Sequence, residues 1–235
     1  MKLTGTKHKN IAVNEIEDGD SHVMLATEHF QGYRLYCGFK RVFDFCFAAA
    51  SLIILSPILL IICLLIKIES KGPAIFKQKR VGKNGKVFTF YKFRSMYTDC
   101  DQMIHQQHVQ QVVNGNIQMS KVKNDSRITK VGRVLRATII DELPQLINVI
   151  KGDMSLIGPR PHPCYEVEQY KDWHKGRLLV TSGITGLWQI NKWSCKSYDD
   201  AIRVDLDYIE KASFFLDAKI FIKTVLLFLT PREKL

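Results

Sequence analysis

Phe45-Cys-Phe-Ala-Ala-Ala-Ser-Leu-Ile-Ile-Leu-Ser-Pro-Ile-Leu-Leu-Ile-Ile-Cys-Leu-Leu-Ile66 is the stretch on which the architecture turns. As a helix it is long enough to cross the ~30 Å hydrocarbon layer, which takes about 20 apolar residues. Ser56-Pro57 stands at its middle. There proline removes one helical hydrogen bond and its ring crowds the preceding turn, while the Ser56 hydroxyl can satisfy a backbone group so freed. Lys40 and Arg41 flank one end, and Lys67, Lys71, Lys77, Lys79 and Arg80 the other. The tendency of basic residues to stay on the cytoplasmic side therefore pulls both ends to one face. On these residues, a Pro-kinked span and a helix that enters and leaves by the same face both stay open.

Upstream, residues 1–37 are polar, carry Glu15, Glu17, Asp18 and Asp20, and show no sustained periodicity. They read as a loose arm without the apolar core of a signal peptide. Residues 38–70 form the membrane element, and residues 71–235 a cytoplasmic domain. That domain opens with two β-type runs, 74–81 and 86–94, separated by Asn84-Gly85, a strong hairpin signal. Alternation in the second run puts Phe88, Phe90, Lys92 and Arg94 on one face, so Lys92 and Arg94 emerge together at its end. Residues 99–119 suggest a helix and a loop, in which His105 and His108 lack a third ligand and read as a solvated face. Residues 121–136 are basic, with Arg133 and Arg136 one turn apart on a short helix.

That helix leads into Thr138-Ile-Ile-Asp-Glu-Leu-Pro-Gln-Leu-Ile-Asn-Val-Ile-Lys-Gly-Asp-Met-Ser-Leu-Ile-Gly-Pro-Arg-Pro161. Leu143, Pro144, Leu146, Ile147 and Ile150 are spaced as a helix, and proline is tolerated only in a first turn, so the helix starts at or just after Asp141. Lys151-Gly152 ends it. Asp141 and Glu142 at a helix start either serve chemistry, beside N–H groups that favour a phosphate, or merely cap the helix. Arg160, fixed between two prolines, suits a phosphate because its planar fork donates in pairs.

Beyond it, residues 165–177 read as a polar helix and residues 181–190 as a glycine-punctuated loop, with Trp188 as packing. Residues 197–211 form an amphipathic helix capped by Ser197 with Asp200. The last apolar run, from Phe214, lies in a membrane interface or closes the core. At 235 residues and 46% hydrophobic the chain can build one sizeable core, which excludes a disordered protein. A formal charge of +11 implies a polyanionic partner: nucleic acid, anionic membrane or a phosphate-rich substrate. The six cysteines form no CxxC or zinc spacing and read as reduced thiols. The fold class expected is α+β: a mostly helical cytoplasmic domain with a small β-hairpin, anchored by an N-terminal membrane helix interrupted at Ser56-Pro57, which the resemblance given next makes re-entrant.

Taken in order, Lys40-Arg-Val-Phe-Asp44, Ser56-Pro57, Lys92-Phe-Arg-Ser-Met96, Asn124-Asp-Ser-Arg-Ile-Thr-Lys-Val-Gly132, Asp141-Glu-Leu-Pro-Gln-Leu146, Lys151-Gly-Asp-Met-Ser155, Gly158-Pro-Arg-Pro161, Gly183-Ile-Thr-Gly-Leu-Trp-Gln189 and Asp207-Tyr208 resemble the bacterial sugar transferase family, the monotopic phosphoglycosyl transferases, in its short form. The resemblance covers roughly residues 38–235. It implies a transferase of the bacterial inner membrane's cytoplasmic face, moving a sugar 1-phosphate from a UDP-sugar to a polyprenyl phosphate, undecaprenyl phosphate in the family, with release of UMP. By matching position, Asp141 would be the nucleophile that forms a covalent phosphosugar, and Glu142 would act as base or place the lipid phosphate. Mg²⁺ would be held through Asp141 and substrate oxygens. Lys92, Arg94, Arg133, Arg160 and Gln189 would bind substrate, and Ser56-Pro57 would be the re-entrant break. The partners implied are the UDP-sugar, polyprenyl phosphate and membrane lipid, with no nucleic acid; a homo-oligomer stays open. Ser126, Ser182 and Lys192-Trp193 depart from the family pattern, which touches sugar specificity rather than reaction type. One rival is a membrane-tethered basic protein that binds anionic lipid or nucleic acid without catalysis. A second keeps the substrates but has the lipid phosphate attack directly, with Asp141 and Glu142 as metal ligands only.

Overall fold

The computed structural model describes residues 31–98, 110–112, 125–191 and 194–229. The expected arm up to residue 30, the His105/His108 segment and Lys192-Trp193 lie outside them. Helix α1 runs Gln31–Glu69 and includes Pro57. It therefore takes in residues 31–37, which the sequence suggested were arm. Tyr36 explains the earlier start, since its hydroxyl donates to Asp217 Oδ2 at 2.8 Å. Helical backbone also continues through Ser56-Pro57, where a break was expected. The Ser56 hydroxyl donates to Ile53 O at 2.8 Å, the carbonyl that a non-proline residue 57 would have bonded.

Strands β1 (Ile75–Val81) and β2 (Val87–Phe93) form the expected hairpin, with Ile75 opposite Phe93 and Val81 opposite Val87. Its turn uses positive φ at Asn84 (54°) and Gly85 (73°), which only such residues adopt cheaply. Helix α2 (Lys130–Ala137) follows, capped by Thr129 Oγ1 and by the Glu69 carboxylate, which accepts from Lys130 N and Val131 N. A 3₁₀ helix, Ile140–Gln145, runs into α3 (Leu146–Lys151), which ends at Gly152 in the left-handed region, as its Lys-Gly signal implied. Strands β3 (Ser155–Ile157) and β4 (His162–Pro163) come next. Strand β4 pairs with β1, completing an antiparallel sheet of order β2-β1-β4. Strand β3 pairs in parallel with β5 (Gly183–Thr185) inside the stretch expected to be loop.

Residues 165–177 do not form one polar helix. They divide into α4 (Cys164–Val167) and a 3₁₀ helix, Asp172–Leu179. The cause is inward pairing: Glu166, His174 and Arg177 are buried, so the polar residues do not share one solvated face as a surface helix needs. Helices α5 (Leu187–Asn191), α6 (Tyr198–Glu210, with the Ser197/Asp200 capping box) and α7 (Phe214–Leu229) complete the chain.

One core joins Ala48 of α1 to Phe88 and Phe90 of β2, Leu146 and Val149 of α3, Leu156 and Ile157 of β3, Ile209 of α6 and Ile220 of α7. A second joins Ile62 and Ile66 of α1 to Phe93 and Leu135. Both halves of α1 thus dock on the same domain. Between them Ile53, Ile54 and Leu60 are 70–75% exposed, an apolar surface far larger than isolated surface residues produce. Helix α7 closes the core through Ile220, while Phe214, Phe215, Ile222 and Leu226 are exposed.

Backbones meet closely at the β3–β5 crossing. A Cβ at Gly183 would lie 2.1 Å from Gly158 N. Gly183→Ala is expected to cost more than about 2 kcal/mol by overpacking against rigid backbone, measured as lost folded yield and a lower apparent melting temperature in detergent.

Candidate active site

Asp141 and Glu142 lie in the first turn of the 3₁₀ helix. The N-cap is Ile139, with φ 58° and no side-chain cap bond, so Asp141 is not the cap that a local reading allowed. A β-branched residue in this left-handed region is strained, a cost of about 1–3 kcal/mol that the surrounding structure must outweigh. The segment is pinned by α3. Asn148, fully buried, accepts from Tyr91 N at 3.1 Å and donates to Thr89 O at 2.7 Å along the free edge of β2. That bond sets the carboxylates against the sheet face that carries Lys92.

Asp141 is 8% exposed. Burial raises its carboxyl above the ordinary value, and the Glu142 charge adds to the rise; Lys92, Arg136 and Arg160 oppose it. Burial would also raise Glu142, but Arg160 outweighs it and holds Glu142 below the usual range. The pair is a two-pronged fork, Arg160 Nη1 to Oε2 at 3.0 Å and Nη2 to Oε1 at 2.6 Å. Burial and the Arg80 charge push the Lys92 amine down to about 8, against the pull of Asp141. Arg80, on β1, is likewise pushed down to about 10 by burial and by Arg160. Its guanidinium lies 3.9 Å from the Phe90 ring centroid, a cation–π contact.

Four of the expected residues thus come together: Asp141, Glu142, Lys92 and Arg160. Arg94 does not join them. It is 5% exposed and donates to the carbonyls of Ile66, Ser70 and Lys71, so it caps the C-terminus of α1. Alternation had placed it beside Lys92, but the strand ends at Phe93. Arg133 is exposed on α2; the half-buried Arg136, one turn on, acts on Asp141. Gln189 makes a local bond from Nε2 to Ile184 O, and its Oε1 is buried without a partner among the described residues. Arg80 was missed, though the hairpin register carried the signal: Phe76 opposite Lys92 and Arg80 opposite Phe88 put Arg80 on the Lys92 face.

Among the described residues no cluster of three or more His, Cys, Asp or Glu could hold a metal. Magnesium does not need one, since it is usually held by one or two carboxylates with substrate phosphates completing the shell. With Glu142 committed to Arg160, the Asp141 carboxylate fits that pattern. What the arrangement offers is one desolvated carboxylate facing a cationic wall, suited to attack on a phosphorus whose oxygens those cations neutralise.

The model of a family described as bacterial sugar transferase matches residues 35–231. The chain is 43% identical over 187 residues to "Galactosyl transferase CpsE" of Streptococcus agalactiae, covering 79% of this chain and 41% of that protein. It is 43% identical over 195 residues to "UDP-glucose:undecaprenyl-phosphate glucose-1-phosphate transferase" of Klebsiella pneumoniae, covering 80% and 39%. It is 42% identical over 205 residues to "Exopolysaccharide production protein PSS" of Rhizobium leguminosarum, covering 81% and 95%. The chain therefore spans about two fifths of the first two relatives and nearly all of the third.

Because the Asp141 carboxyl titrates above its ordinary 3.8, ionising it costs folding stability. That cost is absent below about pH 4 and complete above the raised value. Asp141→Asn is expected to exceed the parent in stability at pH 7 by about 1 kcal/mol, or about 2–4 °C in apparent melting temperature. The gain should vanish near pH 4. A variant less stable than the parent at pH 7 would contradict a desolvated carboxylate here.

Proposed function

The chain belongs to the bacterial sugar transferase family, and from that premise we propose that it moves a sugar 1-phosphate from a UDP-sugar to undecaprenyl phosphate, releasing UMP. The observation that carries this reading is the buried Asp141 beside the Glu142–Arg160 fork, with Arg80, Lys92 and Arg136 acting on the same carboxylates. Cations around a single desolvated carboxylate suit a pyrophosphate and a lipid phosphate handled in turn. The names of the Klebsiella relative and of "Undecaprenyl-phosphate galactose phosphotransferase" of Salmonella typhimurium, 40% identical over 191 residues, support the substrate classes. The product would begin a polysaccharide or glycoconjugate.

In the first half-reaction an Asp141 oxygen attacks the β-phosphorus of the UDP-sugar. The bond to the bridging oxygen breaks, and that oxygen leaves on UMP. An oxygen of undecaprenyl phosphate then attacks the same phosphorus, which returns the Asp141 carboxylate and yields the undecaprenyl diphosphate sugar. Glu142, held below the usual range, is a weak proton acceptor; it orients Arg160 toward the phosphoryl oxygens. Lys92 and Arg80 offset the charge that builds on those oxygens. Magnesium, held by Asp141 and substrate oxygens, would supply further charge neutralisation.

The proposed location is the cytoplasmic face of the inner membrane, with α1 re-entrant. Both its ends are bound to one domain: Lys40 to Asp217 and Arg41 to the carbonyls of Val149 and Ile150 at one, Ile66 and Ser70 to Arg94 at the other. Lys40 and Arg41, read from sequence as topogenic charges, are engaged by the protein. The exposed apolar middle of the helix then lies in lipid.

Incubated with a UDP-sugar and no lipid acceptor, the protein is expected to gain the mass of one phosphosugar on the peptide that carries Asp141. Asp141→Asn should gain none and should release no UMP. An unmodified enzyme that nevertheless turns over when lipid is added would favour direct attack. Turnover by Asp141→Asn would remove Asp141 from the chemistry. For topology, Gly38→Cys and Lys71→Cys, each made in a background free of native cysteine, are expected to react with an impermeant maleimide from the cytoplasmic side only. Labelling of residue 38 from outside would place the two ends on opposite faces.

A further inference from the structure

We propose that Arg177 is a positioning residue for the transfer reaction, fixing the backbone from which Arg160 reaches Glu142. The proposal rests on the transfer reading above. Pro159 and Pro161 carry no N–H, so the Pro-Arg-Pro turn is held chiefly through its carbonyls. Each of the three accepts from a different part of the chain. Pro159 O takes Gly183 N at 2.9 Å, Arg160 O takes Arg177 Nη2 at 3.0 Å, and Pro161 O takes Arg80 Nη1 at 2.7 Å.

Arg177 is itself fixed on every side. It is 3% exposed, its Nη2 also donates to Asp205, and its Nη1 meets Tyr170 OH at 2.6 Å and His162 Nδ1 at 2.7 Å. Burial and the Arg177 charge push His162 down to about 4, so the neutral ring can donate from Nδ1 to Glu166 Oε1 at 2.6 Å and accept from Arg177 Nη1 at Nε2, 2.9 Å away. One Nη2 thus bridges the Asp205 carboxylate and the Arg160 carbonyl while Nη1 reaches Tyr170 and His162, an arrangement of two fixed nitrogens that a single lysine ammonium does not reproduce.

Stability is a poor explanation for this pair. Arg177 Nε and Asp205 Oδ1 are buried without a partner among the described residues, as is Trp188 Nε1, and all three residues line a cavity of about 60 Å³. That is space for about two waters. A buried ion pair gives little net stability against apolar residues of similar volume. Its distinctive product is the placement of Arg160 O.

The test exploits that trade. Arg177→Met with Asp205→Leu is expected to fold, because apolar replacement of a buried pair is often neutral or stabilising. Turnover of UDP-glucose or UDP-galactose with undecaprenyl phosphate, whichever the parent uses, should then fall about 10–100-fold, mainly in kcat rather than in KM. Added to Arg160→Ala, the same two changes should slow the enzyme by less than about twofold, because Arg177 works through Arg160. Parent-like turnover in the double variant, or losses that multiply across the Arg160 and Arg177 changes, would overturn the positioning role. Should the double variant fail to accumulate, Arg177→Lys keeps a cation beside Asp205 and enters the same cycle with the same expectations. A parent that releases no UMP from any UDP-sugar would overturn the transfer reading and this proposal with it. An active parent with an unaffected variant overturns the proposal alone.

Discussion

A carboxylate that must carry charge while nearly out of water is the constraint on which this structure depends. Asp141 is pushed toward its neutral form first by burial and then by Glu142 next door. Lys92, Arg136 and Arg160 lie close enough to oppose both and favour its charged form. Those cations are costly in turn: Lys92 and Arg80 are themselves pushed down by burial and by the charges of their neighbours. Neither set is comfortable without the other. With Arg80, four cations face two carboxylates, which leaves an excess of positive charge. A dianionic phosphate group would relieve that excess on arrival, so electrostatic attraction and chemical activation come from the same residues.

The requirement falls on the scaffold, because the four cations come from four separate pieces of chain. Arg80 is on β1, Lys92 on β2, Arg136 on α2 and Arg160 on the turn before β4. Hairpin register brings the first two to one sheet face, where Phe76 and Phe90 carry their aliphatic and cationic ends. Asn148 ties the acidic segment to the edge of that sheet by imitating a strand neighbour, accepting from Tyr91 N and donating to Thr89 O on either side of Phe90. Arg160 alone lacks a regular element beneath it. Two prolines limit its backbone, and three donors from β1, the second 3₁₀ helix and β5 hold its carbonyls. Removing flexibility before substrate binds lowers the ordering cost at the moment of reaction.

Much of this was legible in local signals. Asn84-Gly85 predicted the hairpin, Lys151-Gly152 the end of α3, and Ser197 with Asp200 the cap of α6, because each works within four residues of itself. The Asp141-Glu142 motif alone left chemistry and capping both open, and Pro159-Arg160-Pro161 marked Arg160 as a rigidly held cation. What escaped was decided at long range. Arg94 and Arg133 looked like Lys92 and Arg136, and the difference lies in which carbonyl or carboxylate the folded chain brings near. Residues 165–177 looked like a solvated helix because Glu166, Tyr170, His174 and Arg177 are polar. They are polar for each other, and for Asp199 and Asp205, more than 20 residues away. Arg80 could have been found by carrying the hairpin register one step further.

The same long-range ties join Asp141 to the apolar helix. Arg41 donates to the last carbonyls of α3, and the 3₁₀ helix bearing Asp141 runs into α3 without a gap. Asp44, one turn further along α1, accepts from Leu156 N at 3.2 Å and fixes β3, which leads to the Arg160 turn. The placement of α1 therefore fixes that of both Asp141 and Arg160, and in the proposed membrane setting its depth in lipid would set their height. An undecaprenyl phosphate brings its phosphate to the headgroup level and no higher, since its chain stays in hydrocarbon. A catalytic domain joined by a slack linker would have to find that plane anew on each turnover. Bound at both ends of α1, this one would, on the proposed function, hold Asp141 at a constant height and leave only the water-soluble UDP-sugar to travel.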